Sequence, residues 1–560
     1  MSMGWLLTNT YPPWLSAWLE TAALSSSLLF CIAAWKLAKS QTGIAPVTLS
    51  FPLAVLASLV LLSLGIQIPT GVILFTGDAV MVFAYLLAWL LAVYAGHVAA
   101  RADAQNVDIF WIAVLGSAIF SVGLALVQWL GVEGLNIFIL DMRAGGRPFA
   151  NLGQPNNFST LCFLGCAGLL YLHERGEVRG APFWLAWCWL SFGMALSQSR
   201  TGWVQMACLT VGLWWLCRRV PMCIRPRSLI GLGAVFVAWV AALPLLADGL
   251  LTSTGRSLGQ QMQGGVRAKY WLSMLHAITE RPWMGYGWLQ TGLAEQLQSS
   301  SRINEGIHDF AHNIALDVIL WAGLPIGLTI VFCFFCWLLS SARRVNEAAS
   351  AMILMAIMGF LIHASLEYPL AYAYFLVPFG FLMGAFHGLC SPGVGWAIGR
   401  RPMAVLLSAT ASLFMVIGHD YFLAEAATRD LRFESARIGP QAKAVEVPDM
   451  LLLTQLQALM RYGYRDPHEG ISKEAWMQTG LVSARYGLAF VMFRYALASA
   501  FRGEPAVAQE TLNRICRIHT LSKCQYARLE WKLWGERYPL SVGRIEFPES
   551  LHSPRLSEPP

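Results

Sequence analysis

Apolar residues run for about 20 positions at a time along the first three quarters of the chain, separated by short polar breaks. Runs of that length match what a helix needs to cross a bilayer. Twelve are predicted, over residues 16–35, 47–66, 72–96, 108–130, 157–172, 182–197, 202–217, 228–247, 312–339, 351–368, 372–390 and 402–421. From residue 422 the pattern changes. Residues 450–460 carry the spacing of an amphipathic helix. Residues 485–501 are apolar enough to pass for another span, but Arg485, Arg494 and the polar flanks predict a helix buried in a small helical array. The turn at 502–505 and the helix after it complete a hairpin like a tetratricopeptide repeat, although one unit does not establish a repeat family. Residues 546–560, with four prolines, read as a disordered tail. The predicted fold is all-α: a polytopic membrane core of about 12 transmembrane helices over 1–421 with a long loop at about 248–311, a helical domain over 422–545, and the tail.

Composition supports a membrane protein and excludes an ordinary soluble domain. Of 560 residues, 56% are hydrophobic, 12% aromatic and only 13% charged, against about 25% charged in soluble domains. The net charge of +7 is read as topology, not as nucleic-acid binding. Thirteen basic residues fall in one set of loops: Lys36, Lys39, Arg101, Arg175, Arg179, Arg218, Arg219, Arg225, Arg227, Arg343, Arg344, Arg400 and Arg401. The short loops on the other side carry Arg143, Arg147 and Arg200. The first set is assigned to the cytoplasm, so both termini and the longest loops lie outside, in a bacterium the periplasm. The start, Met1 to Trp5, lacks a basic region and a cleavage site, so no removable signal peptide is expected. Ten of twelve cysteines sit in or beside apolar spans and read as small buried hydrophobes. Cys516 and Cys524 lie in the polar C-terminal region, where an oxidising compartment predicts a disulfide between them.

Candidate chemistry gathers on the outer side. His308-Asp309-Phe310-Ala311-His312-Asn313 leads from a polar loop into an apolar helix, and imidazole is the side chain suited to acid–base work near neutrality. The four-residue spacing of His308 and His312 suits one helical face, as in a metal pair, but no glutamate completes a zinc pattern, and no metal is assigned. Arg200, in the tight turn Ser197–Gly202, either grips a diphosphate through its planar fork or snorkels to lipid phosphates. Arg267 and Lys269 follow the pair Gly264-Gly265, which lets backbone approach a ligand; a solvated loop face is the plainer account. Asn156 or Asn157 caps a helix or, with Gln154, hydrogen-bonds a sugar. For His312 the choice lies between catalysis or phosphate binding and a packed interfacial role. Gln154, Arg200, Arg267 and His312 come from separate segments yet share one face. Inside the spans ionisable residues are few, chiefly Glu20, Asp317 and His363, with Glu367 near an outer end; ion-moving transporters more usually place such groups at midplane.

These pieces together resemble the bacterial O-antigen ligase and polymerase superfamily. The shared pieces are Ser199-Arg200-Thr201-Gly202, Arg267 with Trp271 and Arg281-Pro282 followed by Gly285-Tyr286-Gly287, and His312-Asn313 leading to Gly323-Leu324-Pro325-Ile326-Gly327. Two further pieces, Arg147-Pro148-Phe149-Ala150-Asn151-Leu152-Gly153-Gln154-Pro155-Asn156 and Leu366-Glu367-Tyr368-Pro369-Leu370, resemble its protein O-oligosaccharyltransferase branch, the PglL type. The resemblance implies transfer of an oligosaccharide from undecaprenyl diphosphate to serine or threonine hydroxyls of a periplasmic protein such as a type IV pilin. It implies His312, Arg267, Gln154 and Tyr368 as catalytic residues and Arg200 with Arg267 as diphosphate ligands. Arg147, Asn156, Asn313 and His308 take supporting roles. No cofactor is expected. A lipid A-core O-antigen ligase or O-antigen polymerase is the alternative. A transporter or scaffold of lipid-linked glycan, without chemistry, is the third reading, and predicts that His312→Ala leaves transfer intact.

Overall fold

The computed structural model describes residues 1–40, 48–132, 134, 137–143, 145–250, 252, 267–298, 306–390, 396–397, 399–438, 447–468 and 471–548. The pair Gly264-Gly265 and all of the expected tail beyond residue 548 lie outside the described residues. Among those described the fold is helical, apart from one two-residue antiparallel pairing, Thr48–Leu49 with Trp396–Ala397.

After a single turn, α1 (Met3–Leu6), every predicted span has a helix: α2 (Ala17–Ser40), α3 (Phe51–Gln67), α4 (Thr76–Ala102), α5 (Ala104–Trp129), α6 (Pro155–Arg175), α7 (Ala181–Leu196), α8 (Arg200–Leu216) and α9 (Pro226–Gly249). Next in the chain come α10 (Arg267–Glu280) and α11 (Thr291–Leu297), then four more apolar helices. These are α12 (Ile314–Ala342), α13 (Ala348–Ala364), α14 (Ala373–Cys390) and α15 (Arg400–Ser435). Among the described residues, seven helices (α2, α4, α5, α9, α12, α14 and most of α15) are long and apolar enough to cross a membrane, and α3, α7 and α13 are shorter apolar helices. This is the architecture of a multi-pass membrane protein.

The helices depart from the sequence pattern at three places. The segment expected at 157–172 is a 21-residue helix, α6, with Pro155 at its start and Gly176 in the left-handed conformation closing it. Asn156 through Leu172 are all buried, so its polar first turn faces protein, and that turn made the run look short. The spans expected at 351–368 and 372–390 are separated by a wider break than their spacing suggested. Helix α13 stops at Ala364 and α14 starts at Ala373, and the turn between them carries Glu367 and Tyr368. Helix α12 is broken at Gly323 (φ +79), where a side chain would collide with the Trp283 carbonyl. The segment 282–287 satisfies the backbone freed there: Tyr286 and Gly287 N–H donate to Leu320 and Trp321 carbonyls at 2.8 and 3.1 Å, and Leu324 N–H donates to Pro282 at 2.7 Å.

Helix α15 runs unbroken through the boundary expected at 421/422. Beyond it stand α16 (Thr454–Tyr464), α17 (Lys473–Tyr486), α18 (Ala489–Arg502), α19 (Pro505–Ile518) and α20 (Leu521–Arg537). The last three share a core of Met492, Leu497, Leu512, Ile515 and Trp531. Cys516 and Cys524 are joined by a disulfide between α19 and α20, with Cα atoms 4.7 Å apart. Peptide mapping should find both unmodified when alkylated without reductant and both alkylated after reduction; alkylation of either in the unreduced protein counts against the bond.

Candidate active site

Helix α12 begins with an N-cap: the Asn313 side-chain oxygen accepts from Ala315 and Leu316 N–H at 3.1 and 3.3 Å. The residue before it, His312, has φ +55, a left-handed backbone that a non-glycine residue adopts only when its surroundings hold it there. They do so from three sides. Trp271 Nε1, on α10, donates to the Ala311 carbonyl at 2.9 Å. Asp317, buried one turn into α12, accepts from Ala311 N–H at 2.8 Å. Asn313 Nδ2 reaches the Ser365 carbonyl at 3.3 Å.

So held, His312 meets Glu367 from the turn after α13. Its Nδ1 lies 2.6 Å from Glu367 Oε2. The other carboxylate oxygen, Oε1, receives Asn156 Nδ2 at 2.9 Å and also pairs with Arg267 Nη2. Glu367 is 3% exposed. Burial raises its carboxyl, but the hydrogen bond from His312 and the charge of Arg267 outweigh that and hold it below the usual carboxylate range. It is therefore ionised at neutral pH, and these contacts weaken only as pH falls through that lowered value. A carboxylate on Nδ1 leaves the His312 Nε2 lone pair available to accept a proton.

Aromatic rings wall the site. Tyr368 lies edge-on to His312 at 5.1 Å between centroids and stacks on Phe310 at 4.7 Å. Burial, then the Glu367 charge, raises the Tyr368 hydroxyl above its usual value, so it stays protonated. Phe310 and Tyr368 also line a cavity of about 900 Å³ among α3, α4, α12, α13 and α14, with Val60, Leu86, Trp321, Phe334, Leu361 and Phe379 in its wall.

Most of the site residues named from the sequence fall here. His312, Arg267 and Asn156 meet on one carboxylate, and Tyr368 packs against His312. Ser199, the residue before Arg200, donates through Oγ to Asn156 Oδ1 at 2.8 Å, so Arg200 opens α8 beside the same cluster. Arg147 Nη1 donates to the Gln198 carbonyl at 3.3 Å in that turn. Gln154 is the half-buried N-cap residue of α6, two positions before Asn156, and makes no side-chain cap bond. His308 stands apart. Its backbone N–H and Nδ1 both meet Glu295, at 2.8 and 3.3 Å. The two imidazole rings, 5.7 Å apart and steeply inclined, thus serve different carboxylates. Glu295 and Glu367 were missed as site residues. For Glu367 the available signal was a carboxylate at the outer end of an apolar run, next to Tyr368.

A bundle of apolar helices whose clustered histidine, arginine and carboxylate are separated from an apolar cavity by Phe310 and Tyr368, which line it, is the arrangement of an enzyme acting on a lipid-borne polar substrate. The comparisons with known proteins agree. A family model described as O-antigen ligase matches residues 185–331, and one described as virulence factor membrane-bound polymerase, C-terminal, matches 350–533. A general O-oligosaccharyltransferase of Acinetobacter baylyi is 31% identical over 401 residues, 69% of this chain and 68% of that protein. A ComP-specific O-oligosaccharyltransferase of the same organism is 33% identical over 253 residues, 44% of this chain and 45% of that one. The chain belongs to the O-oligosaccharyltransferases of the O-antigen ligase superfamily, and it is a glycosyltransferase.

Proposed function

We propose that this protein transfers an oligosaccharide en bloc from undecaprenyl diphosphate to serine or threonine hydroxyls of periplasmic proteins, a type IV pilin among them. It does so from the bacterial inner membrane, with the site facing the periplasm and residues 422–545 forming a periplasmic helical domain. The observation that carries this reading is the His312–Glu367 pair with Arg267 on the same carboxylate, next to Tyr368, which lines an apolar cavity. The cavity suits part of a polyprenyl tail. Arg267 and Arg200 hold the diphosphate and stabilise the charge that develops on it. The acceptor hydroxyl is a poor nucleophile; His312 Nε2 takes its proton as the oxygen bonds to the anomeric carbon. The bond from that carbon to the phosphate oxygen breaks, and undecaprenyl diphosphate leaves with the electron pair. Gln154 and Tyr368 border the space where sugar and acceptor meet.

The test is co-expression with a lipid-linked glycan pathway and a candidate pilin in cells lacking other ligases. Pilin mass should increase by the whole glycan. If pilin stays unmodified while lipopolysaccharide gains O-antigen, the ligase or polymerase reading replaces this one. Orientation is tested separately: Leu451→Cys, at a position 74% exposed, should react with an impermeant maleimide from the periplasm, and labelling only from the cytoplasm inverts the topology.

A further inference from the structure

We propose that Arg267 is handed from Glu367 to the donor diphosphate, and that this exchange switches His312 on as a base. Glu367 is then a positioning residue whose charge is withheld from His312 until donor is bound. The inference rests on the function proposed above and adds an order of events to it.

One buried carboxylate serves a guanidinium and an imidazole that becomes a cation only when it takes a proton. Its Oε1 takes Arg267 and its Oε2 takes His312 Nδ1. With Arg267 in place the charge on Glu367 is already neutralised, and protonating His312 would put a second positive charge against a satisfied pair. The partners differ in freedom to move. The Glu367 side chain is 4% exposed and the Arg267 side chain 31%, so the guanidinium is the group able to turn toward a ligand. Glu367 is not stranded when it does, because Asn156 Nδ2 remains on Oε1 at 2.9 Å, itself fixed by Ser199 at 2.8 Å. After the exchange the carboxylate charge falls on His312 alone. Proton transfer from the acceptor hydroxyl then restores a buried ion pair, His312 with Glu367, in place of the one lost. A buried charge pair broken on one side is costly, so the exchange makes His312 a stronger base only while diphosphate is there to receive the arginine. Without donor, the site does not activate acceptor hydroxyls or water.

Other titratable groups surround the pair. Tyr270 on α10 lies 6.5 Å from His312, ring to ring, and Tyr368 lies 5.1 Å away. His308 and exposed Asp309 share the His312 segment, with Glu295 on α11 behind His308. His363 on α13 is buried against Thr160 at 2.8 Å, Asp317 lies on α12, and Arg200 opens α8. None of these contacts both Glu367 oxygens, so substitutions at Glu367 and Arg267 separate the exchange from the general field.

The experiment follows modification of His312 by diethyl pyrocarbonate, residue-resolved by mass spectrometry, across the histidine titration range in the full solubilised chain. Of the two forms of the imidazole, the reagent attacks only the neutral one. Farnesyl diphosphate, at a concentration that saturates its measured binding, is the probe. In wild type it should move the midpoint for His312 upward by about one pH unit, a tenfold change in proton affinity. In Arg267→Gln the midpoint should already be raised by a similar amount without probe. In Glu367→Gln the probe should produce under half the wild-type shift, and Glu367→Asp, which keeps the charge, should restore most of it. The proposal is overturned if Arg267→Gln leaves the probe-free midpoint unchanged, if Glu367→Gln keeps the full shift, or if the full chain binds no probe. The assay contains neither glycan nor acceptor. Failure of pilin glycosylation with the shift intact would remove the acceptor assignment alone.

Discussion

His312→Ala should lower the rate of glycan transfer by a factor on the order of 10²–10⁴, the usual contribution of a positioned general base. Donor binding should change far less, because Arg267 and Arg200 remain. The comparison is made with purified enzyme, lipid-linked donor and an acceptor peptide, measuring the single-turnover rate at saturating donor. Two features keep the result from being a folding artefact. His312 occupies a left-handed backbone at φ +55, which asparagine tolerates better than alanine. His312→Asn should therefore insert and run as wild type on size exclusion while remaining as slow as His312→Ala. His308→Ala removes ring contacts with Tyr270 and His312 and the side-chain half of the contact with Glu295, while the backbone N–H bond at 2.8 Å persists, and should cost much less. Wild-type transfer in either His312 variant removes the residue from the mechanism.

The positions of the helices were legible in the sequence because apolar runs of span length have few other uses. What periodicity did not reveal was where those helices meet. Glu367 looked like a charge at the end of a span, and only the break from Ala364 to Ala373 turns it inward onto His312 and Arg267. Its partners lie 55, 100 and 211 residues away in the chain, separations that no local pattern encodes. Asn156 had two readings, helix cap or ligand contact. In the fold its side chain bonds Glu367 and Ser199, because the first turn of α6 is packed inside the bundle. The resemblance picked out Arg267 and His312, which meet on Glu367, and Tyr368, whose ring packs against His312. The carboxylate that joins them required the tertiary structure.

The C-terminal helices bear on the same site, and the second large effect is expected at their anchor. Arg485, at the end of α17, forms a forked pair with Asp78 in the first turn of α4, Nε to Oδ2 at 2.8 Å and Nη2 to Oδ1 at 3.0 Å. The side chains are 16% and 3% exposed. Burial works against the guanidinium charge, but Asp78 outweighs it and holds Arg485 above its usual value. Nearby, Gly77 lets α16 lie against α4: its N–H donates to Thr454 Oγ1 at 3.0 Å, and a side chain there would strike Gln455 and the Leu452 carbonyl. Arg485→Ala leaves Asp78 buried without its partner, at a cost of about 3–5 kcal/mol, partly offset by the helix N-terminus beside it. Exchanging both charges, as in Asp78→Leu with Arg485→Met, should recover most of that, because apolar pairs of similar volume commonly replace buried ion pairs without loss. Thermal unfolding and limited proteolysis between α15 and α16 give the readout, with the single variant cut fastest and the double near wild type. Transfer should fall and recover in the same order. The same helices bond to the segment that carries His312: Gly306 N–H to the Ile518 carbonyl at 3.2 Å, Gln296 Nε2 to the Ala484 carbonyl at 2.7 Å, and Glu295, next to Gln296, on to His308. If Arg485→Ala melts and digests like wild type, the pair does not anchor these helices. If it is destabilised yet transfers at the wild-type rate, the helices dock on the core without holding the catalytic segment in place.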